Sequence, residues 1–251
     1  MTPDILCANW IRGPADMRPR RLGSALLFKG GIVASRSAEP AEEIRRRILD
    51  LVEEKGVELV AAYYEPEGGF AGSLFDDFGD NPADRFTADD FVAASLLDVR
   101  FGPASVRALL VDRGGDTLLA QIPNSVDVAL WNTDLGPDSA AWKLWSQLVA
   151  IDEVGPTRAS KLLARKRPHL LPILDSVITE SLGLGTTNRW AALSDALDLP
   201  TRTAIAGVGE RSGSGDPSIL RLLDVLTWMR FSESDRARAV RSGLGFDVGT
   251  R

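Results

Sequence analysis

Apolar residues recur at helical spacing through most of the chain. Pro40 opens "AEEIRRRILDLVEEKG", where Ile44, Ile48, Leu51 and Val52 share one face, Glu42 and Glu43 lie in the first turn and Gly56 is a stop signal. "VELVAAYY" follows as either a strand or a buried helical turn. Thr87 reads as an N-cap with Asp90 three residues on, ahead of "FVAASLLDV", and "PASVRALLVDR" is a second short helix. Pro137-Asp138 opens "SAAWKLWSQLVAI", with Trp142, Trp145 and Leu148 on one face; "NRWAALSDALDL" and "PSILRLLDVLTWMRF" are two more amphipathic helices. Period-two alternation is confined to "SALLFKGGIVAS", which reads as two short strands across Gly30-Gly31.

Three stretches break the pattern. Residues 65–85 mix Gly, Pro and Asp with Phe70, Phe75 and Phe78, and a structureless run of this length in a compact domain is often functional. "GVGERSGSGD" reads as a flexible loop, and the Arg-rich end of the chain as fraying beyond Val240. The expectation is a mainly α protein: a mixed N-terminal extension over 1–86, a helical domain over 87–231 and a C-terminal helix or tail over 232–251.

Composition narrows the function classes. The net charge of −6 argues against non-specific coating of nucleic acid, though a local basic patch remains open. One cysteine, Cys7, leaves no internal disulfide, and one histidine, His169, rules out a two-histidine metal centre. No metal or cofactor is expected. Asp4, Arg12 and Asp16 interrupt the N-terminus where a signal peptide needs an apolar run, and no window approaches a membrane span. The expectation is a cytoplasmic protein with no membrane partner.

The chemistry concentrates in "VGPTRASKLLARKRPHLLPILDSVI", residues 154–178. Val154-Gly155-Pro156 makes a tight turn after one helix, and Thr157 can cap the next. Ala159 and Ser160 are small enough for the two helices to approach closely, so residues 140–165 read as a helix-hairpin-helix. Such a hairpin aims backbone N–H groups at an anion, where the helix dipole also favours it. Arg158, Lys161, Arg165, Lys166 and Arg167 add five cations within ten residues. Pro168 ends that helix, and Asp175 then stands at the head of "SVITESLG". A bland reading stands beside each half: a structural turn between packed helices, and an ordinary N-cap.

Together the two halves resemble the helix-hairpin-helix DNA glycosylase superfamily, whose hairpin is followed by an aspartate in a P-(V/I)-x-D-x-x-V setting. Here "IDEVGPTRA" occupies 151–159 and "PILDSVI" occupies 172–178, and Thr157 lies 18 positions before Asp175. "H-x-x-P-I-L-D" looks like the adenine-removing branch. Over 87–190 the chain resembles more closely an uncharacterised actinobacterial family with a "SKLLARKRP" block, which assigns no function.

The superfamily resemblance implies a DNA-repair hydrolase that takes a flipped base into a pocket. Asp175 would stabilise an oxocarbenium-like transition state at the sugar. Val154, Gly155, Thr157, Arg158, Lys161 and Arg165 would hold DNA phosphates. The departures are specific. Glu153 replaces the first hairpin glycine, Thr157 stands where some members carry a catalytic lysine, and Glu180 replaces a usual cation. Lyase chemistry is therefore not expected, and a monofunctional N-glycosylase is. The alternative is a non-catalytic helix-hairpin-helix module that binds nucleic acid or a protein.

Other candidates read as structure. Asp76, Asp77, Asp80 and Asp84 lack the spacing of a calcium loop and read as a solvated acidic stretch. Phe70, Phe75 and Phe78 read as packing, with a pocket lid as the alternative. Trp190 reads as core with a pocket wall as the alternative, and His169 as exposed.

Overall fold

The computed structural model describes residues 38–246, and among them it is all helix and turn, with no strand. The segment "SALLFKGGIVAS", the cluster Arg18, Arg20 and Arg21, and Cys7 lie outside the described residues. Two helices open the fold, α1 (Ala38–Glu53) and α2 (Gly56–Tyr64). The irregular stretch 65–86 follows, holding only two short helical turns. Then come α3 (Ala88–Ser95), α4 (Pro103–Val106, widening into a looser turn to Val111) and α5 (Asp116–Leu119). The hairpin is α6 (Ala140–Val149) and α7 (Gly155–Lys166). The chain closes with α8 (Ser176–Leu182), α9 (Arg189–Ala196), α10 (Leu199–Ser212), α11 (Ile219–Phe231) and α12 (Asp235–Gly243). No helix among these residues is long and apolar enough to cross a membrane.

The mainly α expectation holds, and several local signals act as read. Thr87 and Asp90 form a reciprocal capping box: the Asp90 backbone N–H donates to Thr87 Oγ1, and the Thr87 N–H donates to the Asp90 carboxylate. Ile44, Ile48 and Leu51 are buried, while Arg45 and Arg46 on the outer face pair with Glu42, Glu43 and Asp50. The ambiguous "VELVAAYY" is helix α2. Gly56 begins it rather than ending α1, and a Cβ there would lie 2.9 Å from the Leu51 carbonyl.

Other expectations need correction. The boundary at residue 87 does not exist as a domain edge. α2 packs on α10 and α11, α1 packs on α9 and α10, and Ile48, Leu59 and Val60 belong to the same core as Leu163, Val208 and Leu226. Helix wins at "GVGERS", which continues α10, because Gly209 lets the Leu222 side chain approach to where a Cβ would meet it at 2.8 Å. The loop shrinks to residues 213–217. The tail is ordered to Gly243: Arg241 is buried, and its guanidinium donates to the carbonyls of Met229 and Ser232, both at 2.7 Å.

The basic run solves a problem set by the irregular stretch. Loop carbonyls that leave water need donors, and 65–86 has no ladder of its own to supply them. Arg165 donates to the carbonyls of Phe75, Asp76 and Phe78. Lys166 Nζ donates to Asn81 Oδ1 at 3.0 Å and to the Pro82 carbonyl at 3.1 Å, and pairs with Asp90 at 2.5 Å. Arg167 donates to the carbonyls of Ala83, Leu119 and Ile122. From the far side, Arg221 donates to the Gly72 carbonyl at 2.6 Å and to Asp76 at 2.9 Å. The stretch is irregular in backbone yet tied down along its length by buried cations.

Candidate functional site

Asp175 caps α8, with its Oδ1 accepting from the Ile178 N–H at 3.1 Å. Ser160 on α7 sets its approach: the Ser160 hydroxyl accepts the Leu174 N–H at 3.1 Å, fastening the "PIL" crossing to the hairpin's second helix. Lys161, one residue on, then faces the carboxylate. Its Nζ lies 3.6 Å from Asp175 Oδ2 and donates to the Leu97 carbonyl at 2.7 Å. The N-cap reading of Asp175 is therefore correct as far as it goes, but only one of its oxygens is used by the helix.

Asp175 and Lys161 both line a cavity of about 260 Å³. Tyr63, Phe70 and Trp228 form an aromatic corner in it. Tyr63 and Phe70 stack with ring centres 5.3 Å apart, and Trp228 stands edge-on to Phe70 at 6.0 Å. Gly72 lines the cavity because a side chain there would run into the Tyr63 hydroxyl. Leu97, Ile173 and Val225 add apolar wall, while Asp98, Asp224, Ser234 and Arg236 add to the polar part.

Asp224 is the second carboxyl of this cavity. It is buried, with Oδ2 accepting from Arg221. Burial pushes its carboxyl up to about 6, the nearby Asp175 pushes the same way, and Arg221 and Lys161 pull against them. Burial also works against the Arg221 charge, but Tyr63, Asp76 and Asp224 around it more than offset that and hold the guanidinium well above its ordinary value. Arg221 thus fixes Asp224, the Tyr63 hydroxyl (2.9 Å) and the Gly72 carbonyl in one arrangement.

The residues expected to grip phosphate divide. Val154 is buried, with its N–H donating to the Ile151 carbonyl at 3.1 Å. Gly155 turns at φ +59° with open space where a Cβ would be, and α7 starts without a side-chain cap, so Gly155, Thr157 and Arg158 remain at an open helix N-terminus. Arg158 Nε donates to the Arg100 carbonyl at 2.5 Å. Arg165 does not fit the expectation. It is 2% exposed, its guanidinium is spent on the 75–78 carbonyls, and it cannot reach a phosphate. Lys161 is likewise turned inward, onto Asp175 rather than outward from the hairpin. Glu153 has a left-handed backbone, at φ +73°, the conformation glycine adopts most readily, and its carboxylate lies against Gly102.

Trp190 does not line the Asp175 cavity. It packs with Trp142 and Trp145 and borders a separate space of about 140 Å³. Phe70 is the member of its trio that reaches the cavity, Phe75 is core and His169 is half-buried. Asp76 and Asp84 pair with Arg221 and Arg85, and no cluster suited to a metal ion is found among the described residues. Sequence reasoning missed Tyr63, Trp228 and Asp224. Asp224 carried the same signal as Asp175, a carboxylate inside an apolar run, in "LRLLDVLTW".

Fold and site define a mainly helical protein with an acid-bearing, aromatic-walled cavity beside a helical hairpin. The chain matches the family model DUF6308, a family of unknown function, over residues 56–231, and it belongs to that family. No curated protein and no solved structure matches it.

Proposed function

We propose that the protein is a monofunctional N-glycosylase-type hydrolase that takes one nucleobase into the cavity and cleaves its bond to the sugar. The observation that carries this reading is the placement of Asp175. Asp175 and Lys161, paired at 3.6 Å, line a cavity whose walls include Tyr63, Phe70 and Trp228. About 260 Å³ is below the roughly 300–1,000 Å³ of drug-sized sites, which suits one ring system with the sugar at the mouth. Aromatic faces stack on any base. A carboxylate held beside the sugar stabilises the positive charge that develops at C1′ as the glycosidic bond stretches. Lys161 holds that carboxylate in place, and Ser160, through the Leu174 N–H, holds the backbone that carries it.

Duplex DNA as the bearer of the base draws support from the open end of α7 with Gly155, Thr157 and Arg158. The inward cations Lys161 and Arg165 take support away from it. A second reading, a binding module without turnover, is favoured by one fact: both Asp175 oxygens already have protein partners.

The test is release of free base, separated by chromatography, from a panel of base-modified duplexes and of nucleosides. Asp175→Asn should lower the rate about a hundredfold or more, the scale of losing one electrostatic stabiliser of a transition state. Its helix cap should survive, because Asn caps a helix about as well as Asp, so any stability loss reads the Lys161 pair and not the cap. A wild-type rate in Asp175→Asn, or no base release by the wild type, sinks the hydrolase reading. Ring-ligand binding without turnover would then favour the module.

A further inference from the structure

The cavity's polar lining is weighted toward acceptors. Asp98, Asp175 and Asp224 bring three carboxyl groups to it. Lys161 and Arg236 are its cations, and both are engaged. Lys161 donates to the Leu97 carbonyl at 2.7 Å and pairs with Asp175, and Arg236 at the mouth donates to the Gly68 carbonyl and lies over the Phe70 ring. An ionised carboxylate only accepts hydrogen bonds. Asp175 and Asp224 have protein partners too, but each carboxylate oxygen can accept more than one hydrogen bond, so the lining favours a ligand rich in O–H and N–H donors over one that carries phosphate. Sugar hydroxyls and the N–H groups of a base are such donors.

The hairpin points the same way. Its tip exposes Asp152 and Glu153, while Lys161, Arg165, Lys166 and Arg167 face inward. Proteins that hold a nucleic-acid duplex neutralise several phosphates with Lys and Arg. Of the five cations in this basic segment only Arg158 stays partly outside, and its Nε is bonded to the Arg100 carbonyl. Lys161 lies six residues into α7, about 9 Å along the helix from Gly155. A strand threading from the cavity across the hairpin would therefore meet carboxylates within one or two phosphates.

We infer that the substrate is a free nucleoside, not a base everted from a nucleic-acid strand. This deepens the N-glycosylase reading and rests on it. In the step, the C1′–N bond breaks and its electron pair leaves on the base nitrogen, which takes up a proton. Water adds its oxygen to C1′ and gives up a proton. The balance is one nucleoside and one water in, one free base and one free sugar out.

The experiment sets the full chain against common purine and pyrimidine ribo- and deoxyribonucleosides, the matching nucleoside 5′-monophosphates, and oligonucleotides carrying the same bases single-stranded and in duplex. Free base is measured by chromatography and new reducing sugar by a colorimetric assay. The expected result is release from at least one nucleoside, slower by about tenfold or more from its monophosphate, the scale of one unfavourable charge contact of about 1.4 kcal/mol, and no release from either oligonucleotide. Release from an oligonucleotide at or above the nucleoside rate overturns the substrate assignment and leaves the hydrolase reading standing. Release from none of them overturns both.

Discussion

Asp224 is the cavity carboxyl whose ionisation the fold disturbs. Its carboxyl sits about 6 in the folded protein against 3.8 for the free side chain, because burial and Asp175 disfavour its charge. Between those values the folded state binds more protons than the unfolded one, so stability falls as pH rises. The contribution is fully present below pH 3.8 and is lost as pH passes about 6. The size is about 3 kcal/mol from the one-unit conversion. Urea unfolding of wild type and Asp224→Asn from pH 3.5 to 7.5 should therefore show a falling limb in the wild type that the variant lacks. Parallel pH profiles would mean that Asp224 is not the titrating group. Asp175 and Asp224 carry the same residue-level signature in the sequence, a carboxylate among apolar neighbours. Only Asp175 stands out in the sequence, because a proline-bounded motif points to it and nothing comparable marks "LRLLDVLTW".

At the scale of elements, the irregular stretch 65–86 and helix α7 form one unit. Lys166 is fully buried, its charge matched by Asp90 at 2.5 Å and its remaining donors by Asn81 and Pro82. Burial lowers its ammonium below the ordinary lysine value, and Asp90 opposes that. Lys166→Met keeps the volume but strands the buried Asp90 carboxylate and two loop acceptors. Removing one member of a buried pair costs about 3–5 kcal/mol. Chemical denaturation should register a loss of that order, and limited proteolysis should cut within 65–86 at a rate well above wild type. A loss under 1 kcal/mol with an uncut loop would show that the loop holds without this lock. A run of Lys and Arg beside a hairpin has two physical solutions, a phosphate surface or an internal clamp. Helical periodicity does not separate them here, because the clamp's partners are carbonyls 45 to 90 residues away in sequence.

For the molecule as a whole, α1 and α2 are part of the core and not an appendage. Ile44, Ile48, Leu51, Leu59, Val60 and Tyr63 are all buried against the later helices. A fragment of residues 87–231 would expose the faces of α9, α10 and α11 that they cover, at about 25 cal/mol for each Å² of apolar surface. It would also lose Tyr63 and the Gly72 carbonyl from the Arg221 network. Such a fragment should lack a cooperative thermal transition, whereas residues 38–246 should melt in one. A well-folded 87–231 fragment would restore the boundary read from the sequence.

Features that depend on neighbours along the chain are legible in the amino-acid sequence. The helical class follows from apolar spacing, the capping box of Thr87 and Asp90 from residues three apart, the tight turn at Gly155 from glycine and proline, and the cap at Asp175 from its place after the "PIL" crossing. The tertiary structure alone decided which way the cations face, that the first helices join the core, and that Tyr63, Phe70, Asp175, Asp224 and Trp228 share one cavity. The physical reason is range. Caps and turns are satisfied within a few residues, whereas a buried cation or a cavity wall takes its partners from whatever the packing of distant helices brings within hydrogen-bond reach.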